Sequence, residues 1–596
     1  MWFFFEAKTQ LDDEEVEKIM DSQQKKKNDG IISQHIFMFP FRFKGEYSLG
    51  ELKKKAESEG WVHKPFDFKF GEPDARARYN EYVYFHEYVR RAIFSDGRDD
   101  ISMYFERKEG ISEDDRFTLY IKGRDKPYIL TIHHISLRLF DTNIGILTVE
   151  VLNYDYDYPD IEDILKINDF GRRIYPQFID EERGIDGTKG AFLAKKIEFH
   201  FNGNPIEELF SEKDFLHKEL RIAEYIKFLL GENIVSDIVP IIDDRMFVVC
   251  WYGDNDFSNC LKHKYKFSPE WYSLIFVDGS PGGGIDNQEM MEGLIEKATY
   301  SRWAELGTFY GISRYSLVSV TDREDYGYKI VRNHMQRMYY QMALILLAQR
   351  ASILRFSAEV ACLSGKIKSF AEDGDGKKTE EDFWKIAKKV KKLHASYIRF
   401  VNRLWFTEVT PQEQGIEMFE MAQKTMGLKE QIEELKAEIR ELYEFVEMQY
   451  EKEKAEEDRK ATNKLNMLNV LAFIFLPITV LAGIWGMNLY FINHLFPSSF
   501  LEWTLNFGAS FVIFTLSFMI IYSYTERIFQ KIQESELEDA KEFMSFRTHW
   551  DIVREKKVLK WILILIVVYL LLFSYKIGIL KIEEMSKWLQ AMLKKG

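Results

Sequence analysis

The sequence predicts an α/β domain, then a long α-helical stalk, then an α-helical transmembrane hairpin, with a third membrane helix near the carboxyl end. Three observations predict this order. Over residues 1–327, short runs of β-branched and aromatic residues alternate with helical patterns. After Gly427, apolar residues recur at alternating steps of four and three. Closer to the end stand two charge-free stretches of membrane length. The chain has 596 residues, so more than one domain is expected. With 81 Lys and Arg against 95 Asp and Glu the net charge is −14, which argues against a nucleic acid polymer as partner. Three cysteines, none in a Cys-x-x-Cys pair, exclude a disulfide framework. A mean hydropathy of −0.29 excludes a chain that is mostly membrane.

In the α/β part, strands are expected at Ile31–Phe43, Arg116–Ile121, Ile129–Leu139, Ile144–Tyr154, Lys196–Phe201, Met246–Tyr252, Tyr272–Val277 and Ser316–Val320. Helices are expected near Tyr79–Phe94, Lys213–Leu230 and Gln288–Tyr300. Met1 to Phe5 is apolar, but Glu6 and Lys8 follow at once, so no cleavable leader is expected. The helical part, 328–464, begins with Tyr328–Lys368 and Asp382–Phe406, joined by a polar linker (Ala371–Asp382). Asp373 and Asp375 mimic the opening of a calcium loop, but Lys377 and Lys378 occupy the next key positions and mark the linker as solvated. From Gln412 to Lys464 one amphipathic helix is expected to run unbroken into the membrane. Its seam of Leu428, Ile432, Leu435, Ile439, Leu442 and Val446 is expected to meet other copies in a multi-chain stalk.

Residues 465–485 hold 21 residues without Asp, Glu, Lys or Arg, enough to span a hydrocarbon core of roughly 30 Å. A loop (486–502) joins this first span to a second at 503–524, and a charged helix (525–560) leads to a third at 561–580 and a tail at 581–596. Arg459, Lys460 and Lys464 precede the first span and Arg527 and Lys531 follow the second, which puts the amino-terminal 464 residues in the cytoplasm.

Candidate ligand sites in the α/β part are weak. Strand Tyr272–Val277, then Asp278, Gly282, Gly283 and Gly284, then a helix, would make a phosphate-cradling turn, although no Gly-Lys-Ser/Thr ending follows. Glu198 with His200, and His133 with His134, lack a defined third metal ligand. No nucleophile–base arrangement points to catalysis, so the chain reads as a channel or transporter rather than an enzyme.

At the end of the first membrane stretch stands Ala482-Gly483-Ile484-Trp485, followed by Gly486-Met487-Asn488. Behind a stalk helix and a span carrying Pro477 and Thr479, this resembles the CorA superfamily of magnesium channels, with Trp485 where Tyr is usual. The match is strong over about residues 411–525. Upstream, HIFMFPFRFK, YNEYVYFHEYVR, LRLFDTNIGILTVEVLNY, QRASILRFS and TEVTPQEQG resemble large, divergent bacterial CorA-like proteins. The resemblance implies a homopentamer in the bacterial inner membrane that conducts Mg²⁺ or a similar divalent cation, with Gly486, Met487 and Asn488 as the filter and Asn488 holding the hydrated ion. Neutral oxygen acceptors suit an ion that gives up its water reluctantly. On the same helix face as Thr479 lie Leu476, Ala472, Leu468 and Leu465, expected to line the pore and to gate it by dewetting. The acidic loop usual after Gly-Met-Asn is replaced by Leu489 to Leu495, without an acid until Glu502. This departure, with the enlarged α/β domain and the carboxyl extension, keeps two alternatives open. One is a pore opened by a nucleotide second messenger, as in CorA-like effectors of type III CRISPR systems; the other is an enzyme domain tethered to a pore.

Overall fold

The computed structural model describes residues 30–67, 74–95, 100–154, 158–216, 221–371 and 380–486, with isolated positions beyond. The chain divides into two compact units, Met1–Val446 and Glu447–Gly596. In the first unit, one 13-stranded sheet is built from β1 (Ser33–Phe43), β2 (Trp61–His63), β3 (Ser102–Arg107), β4 (Arg116–Tyr120), β5 (Tyr128–Phe140), β6 (Ile144–Asn153), β7 (Lys196–Phe201), β8 (Asn204–Glu208), β9 (Ile238–Pro240), β10 (Phe247–Gly253), β11 (Thr299–Tyr300), β12 (Phe309–Ile312) and β13 (Ser316–Thr321). The order is β11-β12-β13-β10-β1-β6-β5-β4-β7-β8, with β3 also on β5, β2 on β3 and β9 on β1. Every pairing is antiparallel except β10 with β13.

Strands β1, β6 and β10 are buried almost throughout because helices cover both faces of the sheet. Along β1, Phe37, Phe39, Phe41 and Phe43 enter one core, whereas Ile36 and Met38 enter the other. The period of two thus feeds two separate cores. Pro40 lacks an N–H, and it falls where the outer neighbour of β1 changes from β10, last paired at Met38, to β9, first paired at Phe41.

The first core is covered by α1 (Ile161–Gly171), α2 (Pro269–Phe276) and α3 (Gln288–Ala298). The second is covered by α4 (Met338–Ala371), α5 (Glu380–Arg403), α6 (Glu413–Met426) and the start of α7 (Leu428–Gly486).

Five expectations are corrected. Segment Tyr272–Val277 is not a strand but the body of α2, which Ser268 caps by accepting from the Trp271 N–H and Pro269 opens at the first turn. The helix expected at Tyr79–Phe94 is two, Ala75–Tyr84 and Glu87–Ile93, and the one expected at Lys213–Leu230 is also two, Glu212–Phe215 and Glu224–Leu230. The unbroken stalk helix from Gln412 is interrupted at Gly427, whose φ of 68° closes α6 in the left-handed region. Finally, the seam of α7 is not left for other copies. Leu428, Ile432, Leu435, Ile439, Leu442 and Val446 are all buried within one chain, in the core shared with Phe356, Val360 and Leu363 of α4 and Val390, Leu393, Tyr397 and Phe400 of α5. The His394 and Tyr443 rings stack at 4.3 Å across the same bundle.

A heptad-like spacing specifies an apolar stripe without saying whose helix covers it. Replacing Leu435, 1 % exposed, by Ala removes a packed side chain and lowers the unfolding free energy by about 2–5 kcal/mol. Urea melts of the detergent-solubilised full chain measure this. A loss within about 0.5 kcal/mol, as for a surface substitution, would show the stripe unpacked.

Candidate functional site

Helix α7 carries the residues expected to line a pore. Beyond Val446, Leu465, Met467, Leu468, Leu471 and Phe475 are 61, 68, 62, 40 and 56 % exposed. Ala472 and Thr479 are exposed too. Leu465, Leu468, Ala472, Leu476 and Thr479 fall within one arc at 100° per residue. Thr479 Oγ1 donates to the Phe475 carbonyl at 3.1 Å, so the hydroxyl is satisfied within its own helix and asks nothing of an apolar neighbour. Gly486 is the last described residue of α7; Met487 and Asn488 lie outside the described residues. So do the expected spans at 503–524 and 561–580, apart from isolated helical positions, and Asp373 and Asp375 of the linker. Among the described residues, no helix is long and apolar enough to cross a membrane.

Upstream, α7 is tied to the sheet through α6. Glu417 of α6 accepts from Arg302 Nη1 at 2.8 Å and from the Tyr300 hydroxyl at the end of β11. These bonds hold its carboxyl below the usual range, with the Tyr300 bond the largest cause.

The Gly-rich loop has a geometry other than a phosphate cradle. It follows a helix, with Val277 at φ 55°. Its amides are used locally: Gly282 N–H donates to Ser273 Oγ at 2.9 Å, Gly283 N–H to the Ser280 carbonyl at 3.1 Å. A Cβ on Gly284 would meet Asp278 Oδ2 at 2.7 Å, so the side chain that folds back over the loop accounts for this glycine. Burial, and then Asp169, push the Asp278 carboxyl up, as expected where negative charge is already disfavoured.

The histidines are likewise engaged. A bulge between Ile132 and His134 leaves His133 exposed and turns His134 toward Tyr104, whose hydroxyl lies 2.7 Å from its Nε2. Glu198 accepts from Tyr120 and pairs with Lys196. No group of three metal-ligating side chains occurs among the described residues.

Two buried polar clusters escaped the sequence reading. Between β1 and α1, His35 Nδ1–H donates to Asn168 Oδ1 at 2.7 Å and Ser33 Oγ lies 2.8 Å from Nε2, with Cys250 Sγ 3.6 Å from Nδ1. Cys, His and Asn together suggest a thiol nucleophile, yet the site is closed. Burial pushes the Cys250 thiol up to about 12 and the His35 imidazole down to about 4, so both stay neutral and inert. The second cluster runs from Asp169, which accepts from Arg172 and Arg173, to Asp244, which pairs with Arg173 at 2.7 Å. The only local signals were charged residues set beside apolar runs, as in Asn168-Asp169-Phe170-Gly171-Arg172-Arg173.

Because His35 folds neutral, its contribution to stability is complete above its unfolded value of 6.5 and is lost as pH falls toward about 4. The loss is on the order of 3 kcal/mol. His35→Gln, which keeps an amide between Ser33 and Asn168, flattens that part of the profile. Denaturant melts from pH 7 to 4.5 measure the slope, and an equal slope in both proteins would refute the assignment.

Comparison with known proteins adds one match. Residues 390–524 fit the family model described as CorA-like Mg²⁺ transporter protein. No curated protein and no solved structure matches the chain. The matched segment begins in α5, takes in α6 and α7, and extends past Gly486-Met487-Asn488. CorA proteins are membrane-located, typically homo-oligomeric handlers of Mg²⁺ and other divalent cations. Over residues 390–524, then, this chain is similar to the CorA-like Mg²⁺ transporter family.

Proposed function

We propose that the protein is a homopentameric channel of the bacterial inner membrane that conducts Mg²⁺ or a similar divalent cation and is gated by its cytoplasmic amino-terminal domain. The observation that carries this reading is a coincidence. The segment that fits the CorA family contains both the long helix described from Leu428 to Gly486 and the sequence Gly486-Met487-Asn488.

In this reading residues 465–485 and 503–524 span the bilayer, and 561–580 add a third span. Copies of the first span surround the pore, with Leu465, Leu468, Ala472, Leu476 and Thr479 along it. Exposed apolar side chains at 465, 467, 468, 471 and 475 support it, because each fully exposed leucine forgoes about 1.5–3 kcal/mol of burial that a bilayer or a neighbouring helix restores. Asn488 supplies neutral oxygens to an ion that keeps its first water shell. Leucine rings close the path by dewetting, and a small rotation of α7 reopens it.

The size of the 1–327 domain favours a second reading, in which a cytosolic ligand such as a nucleotide messenger opens the pore instead of cytosolic Mg²⁺ closing it. Either ligand acts only by binding the open and closed states differently.

Liposomes loaded with a Mg²⁺-sensitive dye test both. The purified chain is expected to pass Mg²⁺, and Asn488→Ala to abolish the flux while leaving oligomer size unchanged in light scattering. Flux that is unchanged in Asn488→Ala removes the filter assignment. A protein that stays silent until a nucleotide is added replaces the first gating reading with the second.

A further inference from the structure

A cleft of about 630 Å³ opens between helix Glu87–Ile93 and the segment that joins α5 to α6. That volume is within the ordinary range for small-molecule sites. It belongs to the first unit and is remote in sequence from the segment read as a pore.

The lining divides by chemistry. Tyr88 and Trp405 supply aromatic surface, with the Tyr88 ring 5.7 Å from Phe406 and Trp405 6.5 Å from Phe400. Tyr88 is 52 % exposed; its hydroxyl is anchored on the Glu408 carbonyl at 2.8 Å and its ring stacks on His86 at 5.3 Å, so the ring is held in place while about half of the residue stays open to solvent. Two guanidinium groups reach the cleft, from Arg91, which is exposed, and from Arg403, which stands 3.8 Å from Asp141. Asn402 adds an amide, and Glu87 a carboxylate that accepts from hydroxyl or amino groups. Aromatic faces bind planar rings, and paired guanidinium groups bind phosphate oxygens through two parallel bonds each.

We propose that this cleft binds a small aromatic phosphate, its ring against Tyr88 and Trp405 and its phosphate on Arg91 and Arg403. A nucleoside monophosphate and a simple aryl phosphate share this chemistry. Glu87 and Asn402 distinguish them, since only the nucleoside offers ribose hydroxyls and a polar base edge.

The wall of the cleft is placed to report occupancy. The Leu404 carbonyl accepts from Gln349 of α4 at 3.0 Å and the Phe406 carbonyl from Gln423 of α6 at 2.7 Å. His86 N–H donates to the Val409 carbonyl at 3.0 Å, which fastens the same segment to the helix on the other side of the cleft. A ligand that moves Trp405 or Phe406 therefore pulls on α6, four residues before Gly427.

Isothermal titration of the full chain in detergent, with AMP, phenyl phosphate and inorganic phosphate as separate probes, tests the site without any reference to transport. AMP or phenyl phosphate is expected to bind at one per chain. Arg91→Ala and Trp405→Ala are each expected to weaken it roughly tenfold or more, Trp405→Phe to retain it. Arg91 is exposed, so Arg91→Ala keeps the parent melting temperature and serves if Trp405→Ala unfolds. Tighter AMP than phenyl phosphate, with the difference lost in Glu87→Gln, assigns the nucleoside class; equal affinities assign the aryl phosphate. Inorganic phosphate binding as tightly as both overturns the ring contact. No binding of either aromatic probe, or binding indifferent to Arg91→Ala, overturns the site.

Discussion

Covering the apolar stripe of α7 from Leu428 to Val446 is the constraint on which the rest of the first unit depends. Six large side chains at helical spacing, each worth about 1.5–3 kcal/mol once buried, require partner helices of matching length. The long pair α4 and α5 meets that need, and its own remaining apolar face then lies on the sheet through Met342 to Ala348. Gly427 makes the two demands compatible. Its left-handed conformation lets α6 pack against α4 and β12 while α7 leaves in a new direction along the bundle.

The sheet faces carry unequal polar content, and this separates their roles. On the α1 side, buried polar groups meet in close pairs such as His35 with Asn168 and Arg173 with Asp244. On the α4 side, a strip of polar residues crosses β5 and β6 at His134, Ser136, Arg138, Thr148 and Glu150. It faces Gln336 and Tyr340, which bond Glu150 and Thr148. Gln34 also donates to Glu150, at 2.6 Å. Helix α4, through Tyr340, and the short turn before it, through Gln336, are thus seated on the sheet by directional bonds as well as by apolar contact.

Long apolar stripes and a short motif each have one dominant physical cause, so helix α5, the body of α7 and the family resemblance could be read from residues alone. The break at Gly427 could not, because a lone glycine between two amphipathic stretches fits a helix interior as well as a helix end. The apolar run Trp271 to Val277 was not legible in the same way, because seven uncharged residues fit a buried strand and a buried helix equally well. The deciding mark is local: Ser268 and Pro269 open a helix, and a strand has no use for them. Short strands such as β8, β9 and β11 left almost no periodic trace, since two to five residues carry too few alternations. The cleft beside Tyr88 was invisible for another reason. Its residues come from positions 87–101 and 402–407, and only tertiary packing brings them together.

The two ends of the sheet remain to be considered together. At one end β11 is only two residues long; at the other β8 holds Pro205, which cannot donate, and the charged Glu207. Neither is a template on which a foreign strand could extend the ladder. Lateral growth of a thirteen-stranded sheet would otherwise be a hazard wherever many copies are crowded side by side. Blunt margins remove it, and leave recognition between copies to side chains on helices and loops, where shape and charge discriminate far better than a bare backbone edge.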